Sequence, residues 1–247
     1  MSNLFHVILI QPILNLLILL YNFLPWPDIG VATILLTLII RLILAPAFYK
    51  GTKQQMIINK LQPEIQKIQK EYKNDKEKLA KAQMELYNKH KVNPFGSCLI
   101  TLLQLPIMIA VYRVFLTGFS SEIIQNNLYS FVANPQNINT LFLGLINLNK
   151  PNIFLAIIAA ALQFFSTKLL MPTKKQQPGS NLMAEPAQKM VNVFQKQMIF
   201  LGPIITFIIL IGLPSILGLY WSASTLFSII QQWFIQKTLK VEKEINS

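Results

Sequence analysis

The sequence predicts an all-α polytopic membrane protein. Its five transmembrane helices surround an inward-open hydrophilic groove, with a cytoplasmic helical hairpin and an N-terminal interfacial helix. Three observations carry this. Hydrophobic residues make up 53% of the 247 and charged residues only 13%, about half the ~25% charge of a soluble domain. Apolar stretches recur at about 29–48, 96–118, 152–171, 197–213 and 216–236; the fourth is short against the roughly 20 residues that cross a bilayer core. The charge of the connections alternates along the chain.

That alternation sets the orientation. Eleven Lys and five acids lie between Tyr49 and Pro94, only Glu122 and Lys150 between Phe119 and Pro151, and four Lys and one Glu between Pro172 and Gln197. The positive-inside rule places the first and third of these in the cytoplasm and the second outside. Five spans, with the N-terminus outside and the C-terminus in the cytoplasm, satisfy every connection. The net charge of +12 then reads as orientation and contact with anionic lipid, not as DNA binding.

Three segments divide the chain: residues 1–27, a core over 28–237 and a short cytoplasmic tail at 238–247. Leu4–Leu24 is apolar but carries Gln11, Asn15 and Asn22 on one helical stripe. With Pro12 and Pro25-Trp26-Pro27 interrupting or ending it, this reads as a helix in the outer interface anchored by Trp26. The alternative is a sixth span with Met1 inside. The start shows neither a charged n-region with a cleavage site nor an Arg-rich transit peptide, so no cleaved targeting segment is expected. Residues 49–94 read as an antiparallel helical hairpin. Ile58, Leu61, Ile65, Ile68 and Tyr72 form a heptad seam, Leu79, Ala80, Met84, Leu86 and Tyr87 supply a facing surface, and Lys73-Asn74-Asp75-Lys76 is the turn. Pro63 predicts a kink or a late helix start in the first arm. The prolines of 172–196 predict a mobile loop, and Gly212-Leu213-Pro214-Ser215 a tight outer turn.

Arg41 is the only charge between Ile29 and Phe48. A guanidinium at the centre of a membrane helix costs about 2.5–3.5 kcal/mol on insertion scales. It persists if it faces water, a cavity or a partner, or if it snorkels to the headgroups. Four spans carry polar or small stripes: Thr33, Thr37, Arg41 and Ala45; Ser97, Thr101 and Gln104; Ala159, Gln163, Ser166 and Thr167; and Trp221, Ser224, Thr225, Ser228, Gln231 and Gln232. Each alone suits interhelical packing. Together with an arginine that no intramembrane acid pairs, they predict a shared hydrated cavity that opens inward and is sealed outside. Catalysis finds no support. His6 and His90 sit beside no spanning nucleophile, and no phosphate loop or carboxylate pair is seen. The single cysteine, Cys98, excludes an internal disulfide and a cysteine metal cluster. No cofactor or metal is expected.

Ordered motifs carry a resemblance. Thr37-x-x-x-Arg41-x-x-x-x-Pro46, Leu61-Gln62-Pro63-Glu64-Ile65-Gln66, Lys91-Val92-Asn93-Pro94-Phe95-Gly96-Ser97-Cys98 followed by Gln104-Leu105-Pro106-Ile107, and Leu219-Tyr220-Trp221 with Gln231-Gln232 stand in sequence. From about Pro25 to Lys237 the chain resembles the YidC/Oxa/Albino family of membrane protein insertases. The resemblance implies a non-enzymatic role in inserting and folding nascent membrane proteins, alone or beside the Sec translocon, with the ribosome a further candidate partner. Arg41 is then the groove arginine that receives acidic client segments. Thr37 and Trp221 match groove positions, and Gln163, Gln104 and Ser224 join them from their stripes. The large outer domain and extra N-terminal span of many members, and the lipobox cysteine of others, are not seen. The tail after Lys237 is short and only weakly basic, which argues against ribosome binding through a long basic tail. The competing readings are a small-anion carrier or channel that uses Arg41 as its binding charge, and a purely structural partner of a translocon. A carrier calls for an internal repeat and access from both sides.

Overall fold

The structure is a computed structural model. It describes residues 2–73, 75–116, 126–170 and 186–245, with side chains over 4–73, 75–93, 104–116, 126–170 and 199–239. Ser97, Thr101 and Cys98 therefore have no described side chain, and 171–185 and the end of the tail lie outside the described residues.

Prolines and caps decide where the helices begin and end. The chain opens with α1 (Ser2–Phe5), a π-helical turn (His6–Ile10) and α2 (Gln11–Phe23) in unbroken succession. Pro12 does not interrupt this helix as expected. The Gln11 amide bonds back five residues to the His6 carbonyl, and the wider turn makes room for the proline ring. The helix ends at Leu24, which is extended ahead of Pro25.

Asp28 starts α3 (Ile29–Ile43), its Oδ1 accepting from the amides of Gly30 and Val31. The stretch expected at 29–48 is not one helix. It breaks at Leu44, and α4 (Ala45–Lys60) leaves at 69°. Pro46 in the first turn of α4 has no N–H to continue the earlier helix. Pro63 acts the same way, so that Leu61 separates α4 from α5 (Gln62–Glu71). The hairpin closes with α6 (Lys76–Lys89). Its seam is Ile58, Leu61 and Ile65 against Leu86 and Val92, with Ile68 and Tyr87 at the edge. Ala80 and Met84, expected in the seam, are exposed. Val92 takes part because Lys91 adopts a left-handed conformation (φ 52) and the Val92 amide returns to the Tyr87 carbonyl, folding the chain back over the helix end.

Asp75 caps α6, accepting from the Lys78 amide at 3.0 Å and pairing with its ammonium at 3.1 Å. The bond from the Lys78 backbone, and then the Lys78 side chain, hold the Asp75 carboxyl below its ordinary value. A depressed carboxyl stabilises the fold above its unfolded pKa of about 3.9 and loses that contribution as pH falls through the folded value. Amide exchange in the first turn of α6 is therefore expected to accelerate, relative to the intrinsic rate, as pH falls below 4. Asp75→Ala should remove that pH dependence. Unchanged protection would show that the cap contributes nothing.

The remaining elements are α7 (Pro94–Leu116), the strands β1 (Leu141–Phe142) and β2 (Ile146–Asn147), α8 (Ile153–Leu170), α9 (Pro186–Ile211) and α10 (Ser215–Ile245). Two expectations change. The 172–196 segment is not all loop, because α9 begins at Pro186, a first-turn position that suits proline. The last helix runs past 236 to Ile245, well into the expected tail. A short antiparallel β-hairpin, two residues in each strand, adds to a structure that is otherwise helical, as the all-α expectation has it. Its register leaves a three-residue loop, Leu143-Gly144-Leu145, in which Leu143 (φ 51) and Gly144 (φ 72) are both left-handed and the Leu145 amide bonds back to the Phe142 carbonyl at 3.0 Å. For leucine that conformation costs roughly 1–2 kcal/mol.

By length and composition, two helices of the described residues can cross a membrane, His6–Phe23 and Ile153–Leu170. The bent α3/α4 pair is a third if counted as one span, and Gln104–Leu116 and Ile199–Ile211 are shorter apolar helices. The main core joins α2, α3, α7, α8 and α10 through Leu17, Ile18, Leu36, Val111, Ala159 and Ile216. Outside it, Phe154, Ile157, Ile158, Ile204 and Ile208 are exposed, an apolar surface suited to hydrocarbon.

The helices α3, α8 and α10 all start at one end. Ser215 Oγ donates to the Asn147 carbonyl at 3.1 Å and the Ile216 amide to Leu148 at 3.2 Å. Asn152 caps the first turn of α8. A side chain at Gly30 would collide with the Phe142 ring, so only glycine permits α3 to approach the hairpin this closely. At the opposite end Asn59 donates to the Leu170 carbonyl and Gln236 to Leu169, fastening α4 and α10 to the end of α8.

Candidate functional site

The helix α10 is the axis of the site. Arg41 sits in the last turn of α3, 8% exposed. Its Nε donates to Ser224 Oγ of α10 at 2.8 Å, and its Nη2 donates to the same hydroxyl. Its guanidinium lies 4.7 Å from the centroid of the Phe48 ring. The α3/α4 bend puts that ring there, by turning the chain between Arg41 and Phe48. Among the described residues no carboxylate pairs with Arg41. A cation over an aromatic face gains about 2 kcal/mol when desolvated, which offsets part of the burial.

Two further polar pairs flank Ser224 on the same helix. Gln104 Nε2 of α7 donates to Tyr220 Oη at 3.1 Å. Trp221 Nε1 donates to Gln163 Oε1 of α8 at 3.4 Å. Tyr220 and Trp221 precede Ser224 by four and three residues, so all three project within roughly 6 Å of helix rise. They diverge by tens of degrees around the axis, which directs one pair toward α7 and the other toward α8.

The expected site residues fall into two groups. Arg41, Thr37 and Ser224 are buried between α3 and α10, whereas Gln104, Gln163 and Trp221 are half-buried. Thr37 donates to the Thr33 carbonyl, and Thr33 to that of Ile29, both at 2.7 Å. These hydroxyls are spent on their own helix, and the α3 stripe is a close-packing face toward α10. Further toward the helix ends, Gln232 Nε2 donates to Ser166 Oγ and Gln231 Nε2 to the Ala45 carbonyl. Gln232 Oε1 is buried without a partner among the described residues. Sequence reasoning missed Phe48 and Tyr220. Tyr220 was signalled by its place beside Trp221; Phe48 depends on a bend that periodicity does not reveal. Among the described residues no cluster of His, Cys, Asp or Glu is placed to hold a metal ion.

The profile of the family described as "60Kd inner membrane protein" matches residues 19–243. The chain belongs to that family. It is 38% identical over 217 residues to a protein named membrane protein insertase YidC from Clostridium tetani, covering 88% of this chain and 85% of that one. A protein of the same name from Fusobacterium nucleatum is 33% identical, over 85% of this chain and 87% of its own. The one from Wolinella succinogenes is 36% identical over 94% of this chain, but the match spans only 38% of its length.

Proposed function

We propose that this chain is a membrane protein insertase. It receives hydrophobic segments of nascent membrane proteins at the polar residues around Arg41 and releases them into the bilayer, without nucleotide, metal or covalent chemistry. The observation that carries this is the arginine itself: buried beside α10, held by a hydroxyl and a ring, and paired with no acid among the described residues. Such a charge can donate to a carboxylate brought from elsewhere. The names of the relatives support the same reading, and nothing favours an anion carrier.

The groove of this reading is lined by Gln104, Gln163 and Trp221, with Arg41 and Ser224 at its floor, while Thr37 packs α3 against α10. The basic hairpin stands at its cytoplasmic mouth, where it meets emerging clients, the ribosome and the Sec translocon. Charge distribution supports an N-terminus outside and a C-terminus inside, and α3, α8 and α10 starting at the neutral end agrees with it. The N-terminal helix is read as lying across the outer end. Its polar stripe is spent on the 126–150 connection, with Gln11 and Asn15 donating to Asn127, Asn22 to Ala133 and Tyr21 Oη accepting from Asn139. Arg113, in the last turn of α7, lies 5.9 Å from the Phe5 ring. Contacts with one end of the bundle along the whole helix support a flat placement.

Reconstitution in liposomes with a small single-span client tests the function, and failure of the pure protein to insert it would sink the reading. A thiol at Gln163, in a Cys98→Ser background, tests the groove. Thr37 and Ser224 are too buried to report. A membrane-impermeant reagent is expected to label Gln163→Cys from the cytoplasmic side only; labelling from outside would favour a carrier.

A further inference from the structure

The turn of the outer hairpin is built in an unusual way. From Asn126 to Asn149 the sequence has no charged residue, and the tip is Leu143-Gly144-Leu145. Leu143 is 62% and Leu145 83% exposed. A hairpin that only needed to turn would place Gly, Asn or Asp at position 143, where φ is positive. It carries leucine instead. A large apolar side chain held in a disfavoured conformation and pointed away from the core indicates a role for that side chain.

The surroundings identify what covers it. Phe23, Trp26 and Phe131 are exposed at the same end of the molecule. Ile153 and Phe154, also exposed, open α8, one of the two helices among the described residues that are long enough to cross a bilayer. The apolar surface of the spans thus continues into the connection, with Trp26 of the kind that settles at headgroups. From Asn126 to Asn149 the connection offers no charge by which a polar partner is recognised; Lys150 lies beyond the hairpin, at the start of the link to α8.

We propose that Leu143 and Leu145 anchor the hairpin in the lipid of the adjoining leaflet. The anchor also sets the depth of α3. Asp28 Oδ2 accepts from the Leu143 amide at 2.7 Å while Oδ1 caps α3, so the tip and the helix start move as one. Arg41 lies twelve residues beyond Ile29, roughly 18 Å along the axis at ~1.5 Å per residue. In a core of about 30 Å, a tip seated at one boundary holds the arginine past the midplane, nearer the other side.

The proposal rests on the chain being a membrane protein, not on its insertase activity. A nitroxide attached at Leu145→Cys in a Cys98→Ser background tests it, with the protein in phosphatidylethanolamine–phosphatidylglycerol vesicles. Labels at Ile158 on α8 and at Lys81 on the basic hairpin serve as bilayer and water references. At Leu145, collisions with oxygen are expected to exceed those with a water-soluble nickel chelate, as at Ile158 and opposite to Lys81. A water-like result at Leu145 with Ile158 in the bilayer overturns the anchor alone. Low collision with both agents also overturns it, since the tip is then covered by protein. A water-like result at Ile158 overturns the membrane placement itself.

Discussion

Arg41→Ala is expected to abolish insertion of clients with Asp or Glu in the translocated segment, while Arg41→Lys retains much of the activity. Two unit charges about 4 Å apart gain ~4 kcal/mol at an effective dielectric of 20 but ~1 in water. The difference, about 3 kcal/mol, is on the order of a hundredfold in a partition equilibrium. It is realised only where the arginine is partly desolvated, and Arg41 is 8% exposed. The geometry adds a competing possibility. Nε and Nη2 both donate to Ser224 Oγ, a fork that lysine cannot reproduce. If fastening α3 to α10 is the purpose, Lys fails as badly as Ala, and Ser224→Ala fails with them. If offering charge is the purpose, Ser224→Ala keeps most of its activity and the loss in Arg41→Ala is confined to acidic clients. Insertion assays on paired acidic and neutral clients decide between them. Equal loss for both client types would falsify electrostatic reception and leave the insertase assignment standing.

The polar stripes and the arginine were legible because intramembrane polarity is costly and stands out against an apolar background. Ser224, Gln104, Gln163 and Trp221 were singled out this way; Ser224 and Trp221 lie on α10, and Gln104 of α7 and Gln163 of α8 each bond to a side chain of that helix. What they bond to was not legible. Thr37 belongs to the same stripe as Arg41, yet its hydroxyl returns to its own backbone, and a spacing of four cannot distinguish a residue that faces a cavity from one that lets two helices touch. The heptad seam of the basic hairpin was correct in its first arm, where Ile58, Leu61 and Ile65 repeat strictly. In the second arm Ala80 and Met84 misled: six and two residues before the buried Leu86, they project to the other side of the helix at 3.6 residues per turn, and Val92 completes the cluster instead. Proline was the other weak point. Pro63 broke a helix as expected and Pro12 did not, since a π-turn absorbs the ring at little cost. The β-hairpin was hidden because a leucine occupies the position at which a turn is normally recognised.

Asp28→Ala is expected to be the most destabilising single change outside the helix interiors. One carboxylate serves three amides, with Oδ1 accepting from Gly30 and Val31 and Oδ2 from Leu143, and it is buried. Loss of an N-cap costs about 1 kcal/mol, and a hydrogen bond to a charged group contributes about 1.5–3 kcal/mol. The sum, roughly 2–4 kcal/mol, corresponds to a drop in Tm of about 4–16 °C for a chain of this size, measured by thermal unfolding of the purified protein in detergent. Asp28→Asn keeps a capping oxygen and should fall between. The sharper test is a double-mutant cycle. If the Oδ2 bond is what holds Leu143 in its left-handed conformation, Leu143→Gly removes the strain that the bond offsets. Asp28→Ala should then cost more in the Leu143→Gly background than in the native one, where relaxation of the released leucine offsets part of the loss, a coupling of about 1 kcal/mol, within the usual range for directly contacting residues. Strict additivity would mean that capping α3 and turning the hairpin are separate tasks, and that the outer connection does not set the position of the helix carrying Arg41.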